Sequence, residues 1–127
     1  MRTRYISMIL GTPVIEYQVL KPKTLCSGMN LIRTAEHCKL AAERLNIPWK
    51  NSYREDSSNE IGGCRIEGFQ QRMQAKEYWK ESTGFFGAKF NEALDVKTDK
   101  EKINIDFRAI CGVIEGSILK IKTVIQT

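Results

Sequence analysis

The chain has 127 residues, and its 42% hydrophobic and 28% charged content is typical of one globular domain, which excludes wholesale disorder. The 20 Lys and Arg residues exceed the 15 Asp and Glu residues, and the resulting net charge of +5 is compatible with nucleic acid or acidic surfaces but diagnostic of neither. The best apolar run, residues 5–10, is far too short to span a membrane as a helix.

The first 20 residues predict a β-hairpin. Two β-rich runs, residues 5–10 and 14–20, flank the turn signal Gly11-Thr12-Pro13. Residues 1–13 also lack the long apolar core of a good signal peptide. Taken literally, this indicates the cytosol, where disulfides are rare, whereas a mature or truncated form of a secreted protein is the alternative.

The clearest predicted element is a helix that begins after Thr34. Thr34 is a good N-cap, and Glu36 brings a carboxylate into the first turn, where it interacts favourably with the helix dipole. Small and apolar residues follow at helical spacing: Ala35, Cys38, Ala41, Ala42 and Leu45. Residues 46–48 end the run. The pattern places Cys38 on the buried face, and we expect His37, the only histidine, on the solvated surface of the helix.

The middle of the chain predicts less regular structure. Residues 48–63 are polar, with little apolar periodicity, and predict a long loop of the kind that is functional or pinned at its ends. Residues 64–69 predict a short strand and turn, whereas residues 70–80 are ambiguous between strand and helix. Residues 82–90 are rich in Gly and Phe, and residues 95–102 form a charged turn region.

The C-terminal part predicts two strands. Apolar and polar residues alternate over 103–113, which indicates a strand with its odd positions inward. Glu115-Gly116 supplies a tight turn, and a second alternating run covers 119–125. The predicted fold class is α+β, with an antiparallel β-sheet packed against one main α-helix.

The four cysteines leave two interpretations open. Cys38 on the inner helix face and Cys64 at a strand start are well placed to join helix and sheet, and Cys26 and Cys111 would then join the two halves of the chain. Four free, buried thiols are the alternative. A zinc site is disfavoured, because the chain has no C-x-x-C motif and a single histidine.

Two functional hypotheses follow from charged and aromatic residues. A nucleic-acid or nucleotide ligand would use basic residues that include Arg65, Lys89 and Arg108, with Phe85 and Phe86 for stacking, although the basic residues are scattered and interleaved with acids. An enzyme would use carboxylates around the long loop that converge in a pocket with raised pKa values, although acids in loops are usually solvated. These carboxylates are Glu55, Asp56, Glu60 and Glu67.

The phrases around the cysteines resemble small, cysteine-stapled domains of an apple/PAN-like plan, found in secreted and surface proteins of algae and other protists. The matching phrases, in order, are Cys26 to Ile47 with its capped Thr34-Ala35-Glu36-His37-Cys38 start, Gly62-Gly63-Cys64, Tyr78 to Gly84, and Arg108-Ala109-Ile110-Cys111. The similarity covers residues 24–113, which divides the single domain 1–127 into an N-terminal hairpin (1–20), a cysteine-stapled core (24–113) and a C-terminal strand (114–127).

The resemblance implies disulfides Cys38–Cys64 and Cys26–Cys111 and an oxidising compartment, extracellular or organelle-lumenal, with the cytosol as the alternative. It also implies a non-catalytic module without cofactor or metal, which binds protein or glycan partners or forms a subunit of a larger assembly. Its expected contacts are aromatic and basic residues of the long loop, Trp49, Tyr53 and Arg54, although core packing explains Trp49 equally well. The alternative function is a small cytosolic protein that binds nucleic acid or a nucleotide.

Overall fold

The computed structural model describes residues 8–67, 87–103 and 107–115, and within them the fold is α+β. One six-stranded sheet has the order β1-β2-β6-β4-β5-β3, and one α-helix packs against it. The elements are β1 (Met8–Ile9), β2 (Thr12–Val19), α1 (Ala35–Arg44), β3 (Trp49–Tyr53), β4 (Gly63–Glu67), β5 (Gly87–Asn91), a 3-10 turn (Lys100–Lys102) and β6 (Arg108–Ile114).

The sheet is mixed, so the prediction of an antiparallel sheet was wrong in one pairing. β3 runs parallel to β5, with Trp49 opposite Ala88 and Tyr53 opposite Asn91. The other strand pairs, β1–β2, β2–β6, β4–β5 and β4–β6, are antiparallel. β5 therefore has an antiparallel neighbour, β4, on one side and a parallel neighbour, β3, on the other.

The long loop predicted over residues 48–63 was wrong in its first part, which is strand β3. Trp49 and Tyr53 are half-buried, but the three residues between them are exposed. A polar strand at the edge of a sheet buries only its ends, so the sequence shows no alternation that would reveal it. The predicted strand at residues 64–69 is confirmed as β4, and residues 68–86, including the ambiguous stretch, lie outside the described residues.

The helix is confirmed with its cap. The Thr34 hydroxyl oxygen accepts a hydrogen bond from the His37 backbone N–H at 3.1 Å, and Glu36 lies in the first turn. Asn46, with a φ of 59°, follows the helix in a left-handed conformation that asparagine tolerates. The expectation that His37 is solvated was wrong, because α1 also faces β2 and buries the imidazole against Tyr17.

The N-terminal hairpin turns earlier than its sequence predicts. Leu10 and Gly11 form the turn with φ values of 52° and 78°, the left-handed pair that a two-residue hairpin loop of type I′ requires. Pro13 is therefore already in β2, opposite Met8. Residues 5–7 of the predicted first strand lie outside the described ranges.

Strand β6 lies in the middle of the sheet and begins at Arg108 rather than at residue 103. β2 pairs with one side of it, and β4 followed by Asn30 and Leu31 occupies the other. Both faces of β6 are also buried, not the odd positions alone, because each face packs against its own apolar cluster. The predicted partner strand at residues 119–125 and the residues from 116 onward lie outside the part of the chain that the structure describes.

Each face of the sheet has its own cover and its own disulfide. Cys38 in α1 is bonded to Cys64 in β4, with 5.3 Å between the Cα atoms. On the other face, Cys26 is bonded to Cys111 in β6, with 5.7 Å between the Cα atoms. No cysteine is free, so the disulfide interpretation is confirmed and the free-thiol alternative is wrong.

Candidate functional site

Several residues that the sequence singled out converge on the sheet face opposite α1. Cys64 and Ile66 of β4 belong to the core beneath the helix, so the intervening Arg65 points to the other face, because side chains alternate along a strand. Lys89 of β5 lies directly opposite Arg65 and shares its face. We call five side chains here the charged network: Tyr53, Glu60, Arg65, Glu67 and Lys89.

Arg65 is the centre of the charged network, and its side chain is only 3% exposed. Its Nη1 donates to Glu67 Oε2 at 2.7 Å, and its Nη2 donates to Glu60 Oε1 at 3.2 Å and to the Tyr53 hydroxyl. The guanidinium also lies 3.8 Å from the centre of the Phe107 ring. Two carboxylates and an aromatic face thus compensate a cation that would otherwise be very costly to bury.

The electrostatics of the charged network keep its protons in place. Burial raises the pKa of Glu67, but hydrogen bonds and charges from Lys89, 2.5 Å away, and from Arg65 outweigh burial and leave this pKa below its ordinary value. Burial raises the pKa of Tyr53 well above its usual range. At neutral pH Glu67 is therefore ionised and Tyr53 protonated, so the two groups act as a fixed acceptor and a fixed donor.

The segment that follows β3, residues 54–62, is held so firmly that we call it the pinned loop. Asn91, 1% exposed, accepts hydrogen bonds from the Glu55 and Ala93 N–H groups and donates to the Glu55 and Ile61 carbonyls, at 3.0–3.2 Å. One amide side chain thereby fills four hydrogen-bonding positions. Further along, the Ser58 carbonyl accepts the backbone N–H of Asp99 at 2.9 Å.

The three predicted partner contacts take different positions around this loop. Trp49 packs, partly buried, against the core beneath α1. Tyr53 is engaged in the charged network. Arg54 is the one that offers its charge to solvent, with a half-exposed side chain 2.9 Å from Asp56 and 3.4 Å from Asp95.

The two basic residues of the alternative ligand site that the structure describes are not brought together. Lys89 lies opposite Arg65, whereas Arg108 lies opposite Ile66, the next residue of β4, so the two basic side chains point to opposite faces of the sheet. Phe85 and Phe86 lie outside the described residues. Nucleic-acid or nucleotide binding stays a prediction.

The loop carboxylates divide into two groups. Glu60 and Glu67 are bound to Arg65, whereas Asp56 is paired with Arg54 and Glu55 is held through its backbone. The catalytic use of these carboxylates stays a prediction. Across residues 8–67, 87–103 and 107–115, no three His, Cys, Asp or Glu side chains are grouped so that they could hold a metal ion.

Of the two central residues of this region, Asn91 was not predicted as a member of any site, and Arg65 was predicted only as one of the scattered basic residues of a nucleic-acid ligand site. Arg65 interrupts the apolar residues Cys64 and Ile66, and a charged residue at that position in a strand is a signal that could have indicated a buried ion pair. Asn91 carries no such signal, because an asparagine after a short Gly- and Phe-rich run is typical of a turn.

Comparison with known proteins returned no similar family or fold. No family model matches the chain, and no curated protein or solved structure is similar to it at a significant level. Within the described part of the chain, no helix is long and apolar enough to cross a membrane.

Proposed function

We propose that this chain is a non-catalytic, apple/PAN-like interaction or structural module that functions in an oxidising compartment, outside the cell or in an organelle lumen. The observation that carries the proposal is the pair of disulfides, Cys26–Cys111 and Cys38–Cys64, which uses all four cysteines. Disulfides persist in oxidising compartments and are rare in the reducing cytosol.

The pairing of the cysteines supports a structural role for both bonds. Each disulfide joins the cover of one sheet face to a central strand, β4 or β6. In the chain-entropy model, bonds of this kind stabilise a fold by about 3 to 5 kcal/mol each. A small module that must persist without chaperones outside the cell gains most from such bonds.

The pinned loop supplies the contact surface of the proposed module for a protein or glycan partner. Arg54, Glu55, Asp56 and Asn59 are exposed on it, while Asn91 and Arg65 hold its backbone and its end from below. A loop that is already ordered loses little conformational entropy on binding, and loops fixed on a rigid sheet are common recognition surfaces.

The compartment is tested by non-reducing mass spectrometry of the protein isolated from its natural source with thiols alkylated at lysis. We expect a mass lower by four hydrogens than that of the reduced chain and no alkylated cysteine. Four alkylated cysteines would contradict the proposal outright.

The contact surface is tested by binding of the oxidised chain to a glycan array and to an array of extracellular protein domains. We expect Arg54→Ala with Asp56→Ala to abolish binding, because both charges of the pinned loop are lost together. The matched control is Lys39→Ala with Glu43→Ala on the exposed face of α1, which should bind normally. Equal binding by both variants, or no binding on either array, would count against the module.

A further inference from the structure

A cleft of about 220 Å³ lies between the N-terminal hairpin and the start of α1, far from the charged network in sequence and on the other face of the sheet. One wall is apolar and consists of Met8, Ile9 and Leu10. Ile9 is buried in the core, but Met8 is 37% and Leu10 64% exposed. Two large apolar side chains thus line the cleft while remaining exposed to solvent, so a ligand that covered them would gain from burial of their apolar surface.

The opposite wall carries two charges of opposite sign, Arg33 and Glu36. Both residues are exposed, and Arg33 Nη2 donates to the Gly28 carbonyl at 2.9 Å. The ion pairs among the described residues do not include either of them. A basic and an acidic residue therefore border the same small cleft, and within the described chain they form no ion pair with each other.

His37 also lines the cleft, and it is only 4% exposed. Its Nε2 lies 2.8 Å from the Tyr17 hydroxyl, so within the described chain Nδ1 is the ring nitrogen that has no hydrogen-bond partner. Burial lowers the pKa of His37, so the ring is neutral at physiological pH. When Tyr17 donates its proton to Nε2, the imidazole carries its own proton on Nδ1 and is a neutral donor.

We propose that this cleft binds a free, apolar α-amino acid of about the size of leucine. The carboxylate would bind at Arg33, beside the start of α1, where the helix dipole favours an anion. The ammonium would bind at Glu36, and the side chain would cover Met8 and Leu10. A simple carboxylate or a simple amine satisfies only one of the two charges, whereas a zwitterion satisfies both.

The test is a titration of the 15N-labelled, disulfide-bonded chain with three matched ligands, followed by backbone amide shifts. We expect L-leucine to bind with a dissociation constant on the order of 1 mM, a weak affinity that suits so small a ligand. The shifts should concentrate at residues 8–10 and 33–37. N-acetyl-L-leucine, which lacks the ammonium, and L-leucinamide, which lacks the carboxylate, should each bind about tenfold more weakly.

Two variants assign the charges to their residues. Arg33→Ala should weaken L-leucine binding about fivefold and leave L-leucinamide unaffected, while Glu36→Gln should weaken L-leucine and leave N-acetyl-L-leucine unaffected. Both residues are exposed, so both variants should fold, and Lys39→Ala on the exposed face of α1 is the control. Equal binding of the three ligands, unchanged binding by the variants, or no shift at residues 8–10 and 33–37 would overturn the proposal.

Discussion

The two faces of the sheet are covered in different ways, although each has one disulfide. Beneath α1, Cys38 and Cys64 are 0% and 1% exposed within a continuous apolar core. The opposite face is crossed by residues 20–31, which we call the strap, and the half-buried Cys26 there borders clefts of about 180 and 160 Å³. The helix covers a large apolar core to which its disulfide adds stability, whereas the strap packs only Leu20, Leu25 and Cys26 against a smaller apolar cluster and depends more on its disulfide.

The largest expected effect concerns the two disulfides. Cys26→Ala with Cys111→Ala should lower the free energy of unfolding by about 4 to 5 kcal/mol, and Cys38→Ala with Cys64→Ala by about 3 to 4 kcal/mol, because the first bond closes the longer loop. The sequence separations are 85 and 26 residues. Urea denaturation of both double variants measures the difference. The reverse order would show that packing around the helix-face bond outweighs loop entropy.

A second prediction concerns the charged network, which lies on the same face of the sheet as the strap. Arg65→Met should lower the free energy of unfolding by about 3 to 4 kcal/mol, because it leaves Glu60 and Glu67 without their shared cation. Arg54→Met, at an exposed ion pair, is the control and should cost at most about 0.5 kcal/mol. Urea denaturation measures the free energy of unfolding of both variants. Comparable decreases would show that burial of Arg65 does not strengthen the contribution of its ion pairs to stability.

Acid should weaken the two faces in different pH ranges. The folded state lowers the pKa of His37, so the unfolded chain binds more protons and stability falls as pH drops below the ordinary value of 6.5. Glu67 also makes stability fall with falling pH, but in a lower pH range. Its contribution is complete above pH 4.5 and is lost as the pH falls through its depressed folded pKa.

Urea unfolding midpoints measured from pH 7.5 to pH 3 distinguish the two pH ranges. His37→Gln should flatten the decline between about pH 6.5 and pH 5, and Glu67→Gln the decline below about pH 4.5. Both variants are compared with the unaltered chain. A decline that keeps its shape in His37→Gln would indicate that another group titrates on the helix face.

The smallest expected effect is at the helix cap. Thr34→Ala should cost about 1 kcal/mol, because the His37 N–H loses the acceptor that caps α1. Thr24→Ala in the exposed part of the strap is the control and should change stability by less than about 0.5 kcal/mol. Thermal unfolding of both variants measures the difference. Equal stabilities would show that the Thr34 cap does not contribute to the stability of the helix face.

The parts of the fold that the sequence predicts are those with local patterns. Thr34 and the alanines of α1 predict a capped, half-buried helix within a dozen residues, and Gly11 predicts a turn. β3 has no such pattern, because its central residues Lys50 to Ser52 face solvent and its parallel partner comes more than 30 residues later. Edge strands and their pairing depend on distant residues, which single-sequence patterns do not contain.

The sequence predicts several residues of the candidate site but not how they are arranged. Tyr53, Lys89 and Glu67 entered as parts of three separate hypotheses, and the structure joins them because β3, β4 and β5 are neighbours. The expectation for His37 was wrong because a helix that spans several strands buries a wider arc than its alanine stripe indicates.

The Cys26–Cys111 bond makes a covalent ring of the chain between these two residues, and the Cys38–Cys64 bond divides that ring in two. A protease that cuts the backbone once anywhere from residue 27 to residue 110 therefore leaves every piece covalently attached. Nicked molecules would run as intact chain on a non-reducing gel and separate only after reduction. In surroundings rich in proteases, the ring would let the chain survive single cuts without shedding fragments.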